Sequence, residues 1–127
     1  MLDEAQSKAP EEACGLVAGK RDVDTFLSTS VIPVTNELHS PYRYRMQPRQ
    51  QLSAFERIDK NGWEIAAIYH SHPLGPDQPS PIDIAEAFYP DVIHFIWSGR
   101  CGDWHCRAFR IQQDQAEEIQ IQLIDDV

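Results

Sequence analysis

The stretch that decides the fold is H-S-H-P-L-G-P-D-Q-P-S-P-I-D, over residues 70–83. An apolar run at residues 65–69 precedes it and follows an Asn-Gly turn, a pattern that predicts a short buried strand. Side chains alternate between the two faces of a strand, so His70 and His72 should project to the same side, roughly 7 Å apart at their backbones. Two imidazoles on one face can converge on a single metal ion.

The end of the same stretch predicts the start of a helix. Ser80 stands at the N-cap, Pro81 at the first helical position and Asp83 at the third, and each residue type is favoured there. A helix N-terminus that faces the end of the strand would form a pocket, and Asp83 would supply a third, anionic ligand. Taken singly, these features are typical of ordinary strand ends and helix caps. Together they favour a metal site, because an apolar strand has little reason to end in His-Ser-His unless both imidazoles are used.

Two carboxylates stand well upstream, where Glu11 and Glu12 precede an apolar segment at residues 14–18. From the residues alone, neither glutamate is favoured over the other. Either one could equally be a solvated acid at the start of a strand.

The two segments together resemble the JAMM (MPN-plus) metalloprotease family, whose motif is an upstream glutamate followed by H-[ST]-H-x7-S-x2-D. The segment P-E-E-A-C-G at residues 10–15 is similar to the P-x-E-x-C-G opening of prokaryotic members, and this alignment selects Glu12 over Glu11. The resemblance continues through Asn36, residues 41–46 and residues 89–91, and so covers most of the chain. No motif position departs from the family pattern.

The resemblance implies a zinc ion held by His70, His72 and Asp83, which leaves one tetrahedral position for water. It implies that Glu12 is the general acid–base group and that the Ser80 hydroxyl donates to the developing oxyanion. The implied reaction is hydrolysis of an amide or isopeptide bond. Ser71 faces away from the ligands by strand alternation, so we expect it to have a positional role only.

The substrate expectation also rests on the resemblance. Family members cut ubiquitin from lysine, and prokaryotic relatives process ubiquitin-like sulfur-carrier proteins. This chain is similar to the small prokaryotic type, which favours a carrier protein whose C-terminal tail adds to an exposed strand edge. Two alternatives stay open: a non-catalytic MPN-like scaffold, a class that loses metal ligands, and a phage-tail-type cell-wall peptidase, which usually carries a fused partner domain.

Composition limits the remaining function classes. At 127 residues the chain can bury a core of its own, and we expect residues 1–127 to form one domain. The formal net charge of −9 argues against nucleic acid and anionic membrane surfaces as partners. No apolar run approaches the ~18 residues of a membrane helix, and the first residues lack a signal-peptide pattern. Three cysteines, an odd number, suit a reducing compartment, so we expect a cytoplasmic protein.

The periodicities predict an α/β protein, and the resemblance implies a curved mixed β-sheet flanked by helices, related to the cytidine-deaminase fold. The predicted strands cover residues 14–18, 25–34, 42–46, 65–69, 92–97, 104–111 and 116–124. The predicted helices cover residues 48–60 and 81–88, with the tail of another helix ahead of Pro10. In the helix at 48–60, Leu52, Phe55 and Ile58 recur at helical spacing.

Other candidate chemistry is weaker. Cys101 and Cys106 could be taken for a second metal site, but structural zinc sites use paired C-x2-C spacing, and both cysteines flank a predicted hairpin. Cys14 could be taken for a nucleophile, although its place in an apolar strand favours buried packing. His39 and His94 are expected to be ordinary surface or core residues. A deaminase is excluded because no H-x-E followed by P-C-x2-C occurs.

Overall fold

A computed structural model of the protein describes residues 1–21, 26–87, 89 and 91–121. These residues form three α-helices and six β-strands, together with a short 3-10 helix at Arg100–Gly102. The helices are α1 (Leu2–Lys8), α2 (Pro48–Lys60) and α3 (Pro81–Ala85). The strands are β1 (Cys14–Arg21), β2 (Phe26–Val34), β3 (Glu64–His72), β4 (Ile93–Ser98), β5 (His105–Gln112) and β6 (Gln115–Ile119). The expectation of an α/β fold is confirmed.

The six strands form one mixed sheet in the order β2-β1-β3-β4-β5-β6. β3 pairs with β1 antiparallel and with β4 parallel, and the other neighbouring pairs are antiparallel. Parallel neighbours cannot be joined by a tight hairpin, so the chain must cross over between β3 and β4. That crossover connection contains α3. It therefore brings the N-terminus of α3 to the end of β3, where the two histidines lie.

Helix α2 covers one face of the sheet. Ala54 and Ile58, four residues apart on one side of the helix, are buried in a core cluster that includes Leu16 and Ile32. Leu52 does not share this face as its spacing suggested, since its side chain is 58% exposed. The helix begins at Pro48 and ends at Lys60, as predicted from its N-terminal proline and the following Asn-Gly.

The opposite face of the central strands carries a second cluster built around Tyr69. The Tyr69 ring fills the space in front of Gly15, where an added Cβ would lie 2.5 Å from the ring atoms. The Tyr69 hydroxyl donates a hydrogen bond to Glu4 of α1. The first helix is thereby joined to the back of β3, and Gly15 is required because no larger residue fits against the ring.

One predicted strand is wrong. Residues 42–45 form no strand, and the single β-bridge near them joins Met46 to Asn36. The Asn36 side chain accepts from the Arg45 N–H at 3.0 Å and donates to the Arg43 carbonyl at 3.1 Å. A side chain that bonds to the backbone in this way replaces the partner strand that a ladder would need.

Several other predictions differ at their ends: β3, for example, extends to His72 rather than ending at residue 69, and β6 ends at Ile119 rather than at residue 124. Helix α3 ends at Ala85, with Glu86 as its C-cap, rather than reaching residue 88. Residue 88, residue 25 of the second predicted strand and residues 122–124 of the last one lie outside the described residues.

None of the helices in the described part of the chain is long and apolar enough to cross a membrane.

Candidate metal centre

His70 and His72 lie side by side at the end of β3. Both are buried, and their Nε2 atoms are 3.1 Å apart. His70 pairs with Cys14 of β1 on one side and with Ile96 of β4 on the other, so it stands inside the sheet. The structure brings the two imidazoles together as the alternation of strand side chains requires.

Asp83 joins them from the first turn of α3. Its Oδ2 atom lies 3.1 Å from His70 Nε2 and 3.0 Å from His72 Nε2. The same Oδ2 accepts the Ser80 N–H at 2.8 Å, and the Asp83 N–H donates to Ser80 Oγ at 3.0 Å. This reciprocal capping box fixes the Asp83 side chain over the strand end.

Glu12, rather than Glu11, reaches this cluster. Glu12 is 3% exposed, and one carboxylate oxygen lies with a ring nitrogen of His70 and of His72 in a group whose atoms are all within 4.8 Å of one another. Its Oε1 atom is buried with no hydrogen-bond partner among the described residues. Glu11 points elsewhere: its side chain is 40% exposed and lies 3.3 Å from His39.

Ser71, between the two histidines, holds the segment that carries Glu12. The Ala13 N–H donates to Ser71 Oγ at 2.7 Å, and the Ser71 N–H donates to the Ala13 carbonyl at 2.9 Å. Glu12 itself donates its N–H to the Ser40 carbonyl at 2.9 Å. The positional role expected for Ser71 therefore has a physical form, a pair of buried hydrogen bonds next to the glutamate.

Different contacts orient the two imidazoles. His72 Nδ1 lies 2.8 Å from the Pro76 carbonyl oxygen, which can only accept, so Nδ1 carries a proton. In neutral His72 the lone pair is then on Nε2. The His70 ring stacks on Tyr44, with centroids 4.6 Å apart and 28° between planes. His70 Nδ1 is buried without a hydrogen-bond partner in the described part of the chain.

Burial and charge shift the pKa values of four ionisable groups at the site, those of Glu12, His70, His72 and Asp83. Burial raises the pKa of Glu12 to about 8, against the opposing charge interaction with His72. Burial lowers the pKa of His70. Burial also acts to lower the pKa of His72, but the hydrogen bond and charge of Asp83 raise it overall. Burial acts to raise the pKa of Asp83, yet the hydrogen bonds with both histidines hold it well below its usual range.

The three closest atoms fit a metal ion. In neutral His72 the Nε2 lone pair faces the Asp83 carboxylate oxygen at 3.0 Å, so a cation, either a proton or a metal ion, has to lie between these two acceptors. Three ligands at 2.0–2.1 Å from a tetrahedral zinc lie about 3.3–3.4 Å from one another. The observed sides of the triangle are 3.0 and 3.1 Å. The site is therefore close to the geometry of a tetrahedral ion.

Sequence reasoning missed three contributors to this site: Tyr44, which stacks on His70, Pro76, whose carbonyl accepts from His72, and Asn36, whose amide binds the Glu12 carbonyl at 3.1 Å. A backbone carbonyl leaves no sequence signal. Tyr44 and Asn36 lie within the resemblance to the family, but a single sequence does not say what they contact.

The weaker candidates take no part in the cluster. Cys14 is fully buried, its thiol donates to the Val34 carbonyl at 3.3 Å, and burial raises its pKa to about 12, which agrees with packing rather than nucleophilic chemistry. Burial also raises the pKa of Cys106 to about 12. The Cys101 side chain lies outside what the structure describes. His94 is a buried core residue, and the His39 side chain is 65% exposed.

Comparison with known proteins gives consistent matches. The family model for prokaryotic homologs of the JAB domain matches residues 1–112. A probable TtuB-protein conjugate cleaving protease of Thermus thermophilus is 44% identical over 109 residues, which cover 85% of this chain and 67% of that protein. The CysO-cysteine peptidase of Mycobacterium bovis is 30% identical over 126 residues, 98% of this chain and 85% of that one. The solution structure of protein DSY2949 from Desulfitobacterium hafniense superposes with a TM-score of 0.89 at 38% identity, covering 100% of this chain and 88% of the other.

Proposed function

This chain belongs to the family of prokaryotic homologs of the JAB domain, and we propose that it is a zinc peptidase that hydrolyses the amide bond after the C-terminus of a ubiquitin-like or sulfur-carrier protein. One relative is named as a probable TtuB-protein conjugate cleaving protease, and another as a CysO-cysteine peptidase. The observation that carries the proposal is the meeting of His70, His72 and Asp83 within 3.1 Å, with the buried Glu12 beside them.

We propose that His70, His72 and Asp83 hold the ion. Two imidazoles and one carboxylate form a ligand set that suits zinc and leaves a fourth position open. Bound zinc lowers the pKa of a water molecule toward ~7 and polarises a carbonyl. The Pro76 carbonyl keeps the His72 proton on Nδ1, so that Nε2 presents its lone pair to the ion.

Glu12 is proposed as the general base and later the general acid. The Glu12 carboxylate oxygen and the two histidine nitrogens all lie within 4.8 Å of one another, and the atoms of His70, His72 and Asp83 lie within 3.1 Å; we take the tighter group as the ligand set and Glu12 as the base beside it. Its Oε1 atom is free to accept a proton from the attacking water and to deliver it to the leaving amine. Burial raises the pKa of Glu12 to about 8 in the zinc-free protein, and a bound cation would lower this pKa and leave the carboxylate ready to accept a proton.

Ser80 is proposed to stabilise the oxyanion. Its Oγ atom accepts the Asp83 N–H at 3.0 Å, and this uses only an acceptor position. The hydroxyl hydrogen is left to donate to the oxygen that becomes negative as the carbonyl is attacked. The cap and the catalytic donor are then the same side chain.

The test is a pair of isosteric variants, Glu12→Gln and Glu11→Gln, assayed on a carrier protein that bears a C-terminal amino acid. Glu12→Gln should lower turnover by about 10²–10⁴-fold, since the amide cannot take the proton at neutral pH. Its zinc content and fold should stay the same. Glu11→Gln, one residue earlier and half-exposed, should be nearly silent.

Four outcomes would contradict parts of this assignment. Full activity in Glu12→Gln, or loss of activity in Glu11→Gln alone, would remove Glu12 from its role as the base. Loss of zinc in Glu12→Gln would make Glu12 a ligand. A wild-type protein that holds stoichiometric zinc and cleaves no carrier substrate would favour the non-catalytic scaffold.

A further inference from the structure

Asn36, just after β2, uses the full hydrogen-bonding capacity of its side chain. It is 7% exposed, and its Nδ2 donates to the carbonyl oxygens of Glu12 and Arg43, both at 3.1 Å. Its Oδ1 accepts from the N–H groups of Leu38 at 3.1 Å and Arg45 at 3.0 Å. A primary amide has two donors and two acceptor lone pairs, so every position is filled by a backbone group. This network fixes the rotamer of Asn36 and the orientation of its amide.

The four bonds join the two segments that approach the metal centre from the same side. One is the segment that carries Glu12, whose carbonyl Asn36 binds. The other is the loop at residues 38–45. Asn36 forms hydrogen bonds with two backbone groups of this loop, the Arg43 carbonyl and the Arg45 N–H. These two residues lie on either side of Tyr44. The Glu12 N–H donates to the Ser40 carbonyl of the same loop, so a further hydrogen bond joins the two segments.

We propose that Asn36 is a positioning residue for the reaction, setting both the Glu12 carboxyl group and the Tyr44 ring that stacks on His70. This inference rests on the proposed function, because it assigns Asn36 to the geometry of the same base and the same ligand. Asn36 acts through the backbone of both segments. A shift of its amide displaces the proton acceptor and the packing of one imidazole together, and small displacements of reacting groups lower turnover strongly.

The chain offers a selective variant. Asn36→Asp keeps Oδ1 for the N–H groups of Leu38 and Arg45 but replaces both Nδ2 donors with an oxygen that faces the carbonyls of Glu12 and Arg43. Asn36→Ala removes all four bonds. Asn61→Ala is the matched control, because the exposed Asn61 amide donates to the Arg57 carbonyl at 2.7 Å, at the end of α2 and away from the metal-centre residues.

The experiment measures turnover and KM on the carrier substrate, zinc content, and, in the zinc-free proteins, amide hydrogen exchange and the NMR shifts of the His70 ring protons. Both Asn36 variants should lower kcat by about 10–100-fold with KM within a few-fold of wild type, the size typical of lost partners around a metal ligand. The Glu12 amide should exchange faster, and the His70 shifts should approach those of Tyr44→Leu. In Asn36→Asp the Leu38 and Arg45 amides should stay protected, and Asn61→Ala should change none of these.

Two results would overturn the proposal. One is an unchanged kcat in Asn36→Asp together with unchanged His70 shifts. The other needs no variant: in the wild-type protein the Leu38 and Arg45 amides, which donate to Asn36 Oδ1, would exchange as fast as exposed loop amides, which would mean that Asn36 holds nothing in place. If the wild-type protein fails to cleave the carrier substrate, the proposed function fails, and the exchange and ring-proton measurements still decide whether Asn36 sets Glu12 and Tyr44.

Discussion

The two histidines of the metal centre are chemically identical and two residues apart, yet the protein orients them in different ways. His70, the inner histidine, is fully buried, stacked on Tyr44, and has no hydrogen-bond partner for Nδ1 in the described part of the chain. His72, the outer histidine, is oriented by a hydrogen bond to the Pro76 carbonyl. Packing from distant sequence fixes one imidazole, and a hydrogen bond from the following turn fixes the other. The two proposed ligands are therefore held by different kinds of contact.

The largest effect is expected when one of the proposed metal ligands is removed. His70→Ala and Asp83→Ala should each abolish stoichiometric zinc after mild dialysis, because two protein ligands are too few for a tight site. Asp83→Ala should also destabilise the fold by about 1 kcal/mol, since Ser80 N–H loses its acceptor at the start of α3. Elemental analysis and chemical unfolding measure both effects. Full zinc retention by either variant would show that the triangle is not the ligand set.

The second prediction concerns the desolvation of Glu12 in the zinc-free protein. Burial raises the pKa of Glu12 from 4.5 to about 8, so the folded state holds this proton where the unfolded state has lost it. The stability of the zinc-free protein should therefore fall as pH rises from about 4.5 to 8, by on the order of 3–5 kcal/mol. Glu12→Gln should remove this decline while leaving other pH effects in place. Parallel curves for the two proteins in chemical unfolding from pH 5 to pH 9 would contradict it.

The third prediction compares the orienting contacts directly. Gly75 has φ +77°, and an added Cβ would lie 3.0 Å from Arg100, so Gly75→Ala should displace the turn that presents the Pro76 carbonyl to His72. Zinc affinity should fall by about 10–100-fold. Tyr44→Leu removes the stack from His70 but leaves its strand neighbours, so we expect a smaller loss. Competition with a chromophoric chelator ranks the two variants, and the reverse order would make stacking the stronger constraint.

The smallest effect is expected at Asp77, in the segment that follows His72, where ion pairs join this segment to β5. Asp77 lies 2.9 Å from both His105 Nε2 and an Arg107 guanidinium nitrogen of β5. The hydrogen bond with Asp77 raises the pKa of His105, so this pair stabilises the fold below about pH 6.5 and ceases to do so as pH rises through the raised pKa. Asp77→Asn should lower the pKa of His105 and cost less than about 1 kcal/mol, because the pair is exposed. An NMR titration in which His105 keeps its pKa would contradict the assignment.

The difference between contacts from nearby and from distant sequence also explains which parts of the site the sequence could predict. His72 and Asp83 are 11 residues apart, and the strand period and the helix-start residues between them place both from local rules. Glu12 could be separated from Glu11 only through the resemblance to the family, because its place depends on pairing between β1 and β3. Local rules predicted the type of every element except the strand at residues 42–46 and, for α2, both ends.

The errors lie where distant residues override a local pattern. The alternation of aromatic and basic residues at 42–46 predicted a strand, but the Asn36 side chain takes the backbone bonds that a strand would use. Leu52 shares the helical spacing of Phe55 and Ile58 but points into solvent, because the sheet contacts α2 along the line of Ala54 and Ile58. Neither outcome can be read from one segment alone, because each depends on a partner that the fold supplies.

An ion bound at this site would also affect folding, because His72 ends β3 and Asp83 lies in the crossover connection that follows it. An ion shared by His72 and Asp83 would join two points 11 residues apart, as a disulfide joins two cysteines. By the chain-entropy account of cross-links, closing a loop of this size restricts the unfolded chain by about 3 kcal/mol. The free energy of metal binding would thus also be free energy of folding. The ion would act as a removable cross-link in the connection between β3 and β4. Its removal by a chelator would destabilise that connection as well as stop the proposed hydrolysis.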